Sequence, residues 1–219
     1  MTRGARMAMV VLPLGLVCCV PWTVRPIDAE KQDQSSAPAA AQNPVAYVDS
    51  IWNSKLLPAI LSSAVDSRTL LDALKASPSE ATARYARREA NGPALFIVKG
   101  EGVVTSVDTR SRAGLALLDI APFDKRADVS VQIGPVIRGT SLRDATGTVR
   151  FTDFVNQLQF ADAGNELNER VLKTVLAPLD RQKLKGRTLS FIGTLAAVQN
   201  AEVPLPELVP VKLELKDAR

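Results

Sequence analysis

Apolar residues follow three successive patterns along this chain: a solid block near the start, then a helical period, then strand-like alternation. The helical stretch covers residues 45–91. Val45, Val48, Ile51, Trp52 and Leu56 repeat at the i, i+3, i+4 spacing of one buried face. Pro58 should break or restart that helix, because it has no N–H to give to the preceding turn. Ser67 is placed to cap a second segment carrying Leu70, Leu71 and Leu74. Pro78 opens a third, which ends before the turn Asn91-Gly92-Pro93. Tyr47 and Trp52 would suit a sugar-stacking platform, but their helical spacing favours packing against the body.

From Ala94 the period changes. A long strand enters through Leu95-Phe96-Ile97-Val98 and continues past Gly100-Glu101-Gly102 to Val107, and its internal glycines suggest a bulge or sharp bend. After the turn Asp108–Ser111, Ala113 to Ile120 gives a second strand, followed by the connection Pro122–Lys125. Val129, Val131, Ile133, Val136 and Ile137 mark a third, with an edge or bulge at Gly134-Pro135. Phe151 to Leu176 then reads as one amphipathic helix through Phe154, Val155, Leu158, Ala161, Leu167, Val171, Leu172 and Val175. Thr152 or Asp153 should cap it, and Pro178 should end it. A fourth strand runs from Thr188 to Val198. A fifth, Val209 to Leu215, should hold Val209, Val211, Leu213 and Leu215 on one face. Strand, strand, strand, helix, strand, strand is the order of an OB-like five-stranded barrel, with the helix between strands three and four expected to plug it. The expected fold class is therefore mainly β with helices, the barrel occupying 94–219 and a helical N-terminal extension, 45–93, packed on it.

The first 44 residues have nothing of this kind. Arg3 and Arg6 precede the apolar run Met7–Val17, which is too short for a membrane-spanning helix and is interrupted by Pro13. Residues 1–19 are expected to be an export signal. Leu16-Val17-Cys18-Cys19 resembles a bacterial lipobox, with Cys19 the lipidated residue, though Cys18 stands where a Gly, Ala or Ser is usual. An uncleaved anchor reaching Trp22, or secretory cleavage further on, remains the alternative. Residues 20–44 are rich in Ala, Gln, Ser, Asp and Pro and read as a flexible tether.

Composition then removes several chemistries. The sequence contains no histidine, and its only cysteines are Cys18 and Cys19, so residues 20–219 offer neither an imidazole base nor a thiol. No cofactor or metal is expected. The net charge of +4 includes Arg3 and Arg6, and the remaining bases are scattered among acids, so no nucleic-acid surface is expected.

The best candidate for chemistry is the turn 138–144. Arg138, Thr140, Arg143 and Asp144 lie close to Asp153, Asn156 and Gln157 at the helix entry. Guanidinium forks with amides and hydroxyls would hold a carboxylate, a phosphate or sugar hydroxyls. The competing expectation is an internal staple, in which Arg138 or Arg143 pairs with Asp144 or Asp153. There Thr140 or Ser141 caps a short helix and Gly139 allows the bend. Glu101, Asp108 and Asp119 are the acids from which a glycosidase pair would have to come, and nothing in the sequence fixes their separation. The pair Gly100 and Gly102 follows no strand-to-helix junction and is not a phosphate loop.

The segments VKGEGVVTSVDTRSRAG (98–114), VQIGPVIRGTSLRDA (131–145), FTDFVNQLQFA (151–161) and VPVKLEL (209–215) resemble the domain of unknown function 2291 family. The resemblance implies an exported, lipid-anchored periplasmic protein with an OB-like body and no established activity, often encoded beside sugar ABC-transporter components. The expected function is that of a non-enzymatic, membrane-anchored lipoprotein serving a carbohydrate ABC importer. The alternative is a small-ligand module, for a sugar or an anion, using the Arg138–Asp144 corner.

Overall fold

A computed structural model describes residues 43–87, 92–196 and 205–216. The signal, the tether up to residue 42 and Cys19 lie outside the described residues. Helix α1 spans Pro44–Ile51, with the Asn43 side chain accepting from the Val45 and Ala46 N–H groups at 3.1 and 3.3 Å. It runs on through a π-helical turn, Trp52–Leu56, into α2, Leu57–Ser63. Pro58 stands in the first turn of α2, so α-helical bonding restarts there, as expected, without interrupting the helical run. The wider turn just before it, closed by the Leu57 N–H on the Trp52 carbonyl, shifts the bonding register where the proline cannot donate.

A two-residue strand, β1 (Val65–Asp66), leads into α3 (Ser67–Ala76), and α4 (Pro78–Tyr85) follows. The cap of α3 is Asp66, whose carboxylate accepts the Thr69 N–H at 3.0 Å. Ser67, expected there, is instead the first helical residue and is buried. The remaining strands are β2 (Leu95–Asp108), β3 (Leu115–Ile120), β4 (Val129–Gln132), β5 (Thr188–Ala196) and β6 (Glu207–Lys216). The sheet has six strands rather than five, because β1 pairs in parallel with Val98 and Lys99 of β2.

Strands β2 to β6 close on themselves. β2 pairs with β5 over residues 95–103 and with β3 over 102–108, so it changes partner at the glycine-rich bend. The register shift on β2 lies just beyond the glycines, between Val104 and Ser106. β3 pairs with β4, β4 runs parallel to β6, and β6 pairs with β5. The third strand stops at Gln132, so Ile133 and Ile137 are core residues of a loop rather than of a ladder, and Val136 is only partly buried.

Alternation divides the apolar residues into two cores. Phe96, Val98, Leu118, Val131, Phe191 and Leu208 come from all five strands of the closed ring, and Leu70 and Leu71 of α3 join them. Leu95, Ile97, Val209 and Val211 point the other way, against α1, α2 and the helix that follows β4. That helix, α6 (Gln157–Val171, after a one-turn α5 at Ser141–Asp144), therefore covers the outer face of the sheet. It does not plug the ring; the buried side chains that a helix adds to the inner core are Leu70 and Leu71 of α3, with Tyr85 of α4 packed against them.

The start of α6 also differs from expectation. Phe151–Asp153 is a separate 3-10 turn, Phe154 is extended (φ −123°, ψ 156°), and Asn156 caps α6 through the Gln159 N–H at 2.9 Å. The buried face is then Ala163, Gly164, Leu167, Asn168 and Val171, which leaves Leu158 71% exposed and Ala161 exposed. A π-helical turn, Leu172–Leu176, ends the helix before Pro178. On β6, the shift opposite Ile192 and Gly193 interrupts the expected face, and Leu215 is exposed near the strand's end.

Candidate functional site

The segment between β4 and α6 folds over the outer core by burying Ile137, Leu142, Ala145 and Val149, which fixes the backbone that carries the polar corner. Gly139 makes the bend at φ +84°, a conformation that costs a residue with a Cβ about 1–2 kcal/mol. Its carbonyl accepts from the buried Asn168 amide of α6 at 3.0 Å.

Four of the seven expected residues lie on this corner, and three of them, Thr140, Arg143 and Asp144, bond to one another. Arg143 forks onto Asp144 at 2.6 and 3.2 Å, and Thr140 donates its hydroxyl to the same carboxylate at 2.6 Å. The Arg143 guanidinium also lies 3.8 Å from the centre of the Phe160 ring. Thr140 stands at the start of α5, but its backbone carbonyl, not its hydroxyl, accepts the Arg143 and Asp144 N–H groups. Arg138 turns away from both aspartates and pairs with Glu207 of β6 at 2.7 Å. Gln132 ties the two together. Its amide oxygen accepts the Arg138 N–H at 2.7 Å, and its amide nitrogen donates to Glu207 at 3.1 Å.

The other three residues serve elsewhere. Asp153 accepts from the Arg150 guanidinium at 3.2 Å and from the Tyr47 hydroxyl at 3.3 Å. Asn156 is the α6 cap, and Gln157 is exposed at the helix start. Sequence reasoning missed Gln132, Glu207 and Thr194, whose hydroxyl meets Ser141 at 2.8 Å. Between these groups lies a cleft of about 270 Å³, with Leu95, Ala196 and Val209 on its apolar side and Arg138, Thr140 and Ser141 on its polar side.

The carboxylates considered for catalysis each have a local partner. Glu101 pairs with Lys216 at the open surface. Asp108 forks with Arg110 of its own turn at 2.9 and 3.0 Å, and those hydrogen bonds hold its carboxyl down at about 2. Asp119 is buried. One of its oxygens takes the Lys125 N–H at 2.7 Å, while the other has no hydrogen-bond partner. Tyr47 and Trp52 are buried in the outer core, where Tyr47 packs edge-on to Phe154 at 4.9 Å, so neither forms a stacking platform. Burial, then the neighbouring Asp153 carboxylate, pushes the Tyr47 hydroxyl up to about 12.

A crystal structure of an OB-fold protein from Thermotoga maritima MSB8 superposes with a TM-score of 0.65 at 21% identity, covering 80% of this chain and 98% of that one. At that identity the likeness speaks for the fold, and the closed order of β2 to β6 agrees with it. No curated protein matches the chain. A family model does match, over residues 9–214, described as a predicted periplasmic lipoprotein. With nearly the whole length matched, the chain belongs to the DUF2291 family and is a lipid-anchored protein of the periplasm with an OB fold.

Proposed function

We propose that this lipoprotein is anchored through Cys19 and acts by binding rather than by catalysis, as an accessory of a carbohydrate ABC importer. The supporting observation is that the candidate acids stand apart: Glu101 pairs with Lys216 and Asp108 with Arg110, while Asp119 is buried and takes the Lys125 N–H. A general acid needs a pKa tuned towards the working pH, and Asp108, forked by Arg110, is held down at about 2. Palmitate labelling of the wild type and Cys19→Ser tests the anchor: label on the wild type alone is expected, and equal label on both overturns it. Deletion should impair growth on particular sugars, and unchanged growth on every sugar counts against the importer link.

A second reading, a small-ligand site, draws on the corner cleft. Arg138 keeps its side chain about half exposed (51%) at the mouth, beside the hydroxyls of Thr140 and Ser141 and above an apolar floor. A polar rim over an apolar base suits a sugar or a small anion. A thermal-shift screen with sugars and sugar phosphates tests it. A ligand at a hundred times its dissociation constant adds about 2.7 kcal/mol, which an Arg138→Ala variant should lose. No shift with any of them removes the second reading.

A further inference from the structure

We propose that the cleft between the start of α3 and the middle of β2 binds a small organic carboxylate with an apolar body. This cleft encloses about 510 Å³, a size usual for small-molecule sites, and shares no lining residue with the corner cleft. A single close approach shapes it. Ser67 opens α3 beside β2, and its hydroxyl stands where a Cβ on Gly100 would go, so any side chain at 100 would fill that space. Ser67 lines the cleft and is 3% exposed, yet its hydroxyl has no hydrogen-bond partner among the described residues. Buried polar groups are nearly always paired, and a lone buried hydroxyl beside a cleft calls for a partner from outside.

The charges along the cleft select that partner. Four charged residues line it, and three are committed within the fold. Asp66 takes the Thr69 N–H and hydroxyl at 3.0 and 3.3 Å, Arg68 pairs with Asp72 at 2.7 Å, and Glu101 pairs with Lys216. Lys99 is exposed and has no partner among the described residues. On β5, Ser190 stands opposite Glu101 and Ile192 opposite Lys99, so the Ser190 hydroxyl, also unpartnered there, shares the Lys99 face. The uncommitted groups are therefore one ammonium and two hydroxyls, all able to donate to an oxyanion. A phosphate dianion would bring a second charge that no free cation of the cleft matches, beside the carboxylates of Asp66 and Glu101. A carboxylate brings one. Ile192 and the half-exposed Phe123 supply the apolar side. Phe123 stands at φ 60°, where bulky residues are rare, on a loop tied down at both sides of it. The Arg68 guanidinium donates to the Ala121 carbonyl, and Asp119 accepts the Lys125 N–H at 2.7 Å. The ring is thus held at the rim of the cleft, where it can cover a bound apolar group.

The site is independent of the corner, and the test keeps the two apart. Detergent-solubilised full-length chain is titrated into para-fluorophenylacetate, and broadening of the fluorine resonance over a detergent blank reads binding. Saturable broadening is the expected result. Lys99→Gln should weaken it at least about tenfold, the loss of one charge-assisted contact, and Ser67→Ala should weaken it less. Arg138→Ala, at the corner, should leave it unchanged. Lys99 is exposed and makes no bond within the described fold, so its variant should melt with the wild type, and its lost affinity is not lost folding. No saturable broadening at millimolar probe, or equal affinity of wild type and Lys99→Gln, overturns the site. Loss on Arg138→Ala alone moves the probe to the corner and overturns it too. Equally tight binding of the neutral para-fluorophenylacetamide, or tighter binding of para-fluorophenyl phosphate, overturns the assignment to a carboxylate.

Discussion

Arg138 and Glu207 are 69 positions apart in the chain and meet at 2.7 Å, where the strand β4 hands over to the corner and β6 begins. The visible ion pair is not the strongest part of that junction. Arg138 is half exposed, and such pairs are worth about 0.2–1 kcal/mol. Gln132 is 2% exposed, and its amide nitrogen has Glu207 as its short-range acceptor at 3.1 Å. Removing the carboxylate leaves a buried donor poorly satisfied, at about 1–3 kcal/mol. Glu207→Ala should therefore cost clearly more stability than Arg138→Ala in urea denaturation. Equal costs would mean that the surface pair, not Gln132, carries the junction.

Two glycines set how closely the layers approach. A Cβ on Gly100 would stand 2.0 Å from the Ser67 hydroxyl, where α3 crosses β2. A Cβ on Gly193 would stand 2.3 Å from the Val209 carbonyl, at the shift between β5 and β6. The first obstacle is a side chain and the second is backbone. Gly100→Ala should cost about 1–3 kcal/mol, with part recovered in the Ser67→Ala double variant through a measurable coupling. Gly193→Ala should cost more, because no side-chain change at Val209 moves the carbonyl. A thermal melt of Gly193→Ala as high as that of Gly100→Ala would contradict this order.

The parts of the fold legible in the sequence are those in which one local pattern decides the structure. Strand β5 alternates through Leu189 and Phe191, and β2 opens on the continuous apolar run Leu95–Val98, buried throughout because both faces of the sheet are covered there. The start of α6 misled because Phe151, Phe154 and Leu158 keep helical spacing across a chain that is extended at Phe154. The local preference of Asn156 for a cap outweighed that period. The helix consequently turned another face inward and exposed Leu158. At the corner, Arg143 with Asp144 was readable because the partners are adjacent. Arg138 with Glu207 was not, since parallel β4–β6 pairing brings them together and no local signal encodes it. Gln132 likewise looks like an outward strand position. It is buried only because β6 arrives beside it.

Tyr47 gives a pH signature. Its hydroxyl titrates near 12 when folded and near 10 when unfolded, so between those values the unfolded chain binds fewer protons. Stability should fall as pH rises from 10 to 12, and its contribution is intact below 10. Tyr47→Phe removes the titrating group and should flatten this part of the curve. Its own cost near neutrality should be small, about 1 kcal/mol or less, because the bond to Asp153 is long at 3.3 Å. Equilibrium unfolding of both proteins across that range is the measurement. Parallel curves would rule out the assignment.

Arg143 tests whether the corner is built for structure. Its side chain is 12% exposed, forks onto Asp144, reaches the Phe160 carbonyl at 3.4 Å and stacks on the Phe160 ring. Lysine can replace its charge but neither the planar fork nor the stacking. Arg143→Ala leaves the partly buried Asp144 carboxylate, 16% exposed, with Thr140 alone, and should cost about 1–3 kcal/mol. Arg143→Lys should recover only part of that. Arg138→Ala, by contrast, should barely change stability, so any ligand-induced thermal shift it abolishes reports binding rather than folding. If Arg143→Lys is as stable as the wild type, the fork and the stacked ring do not hold the corner, and the side chain is needed only as a charge.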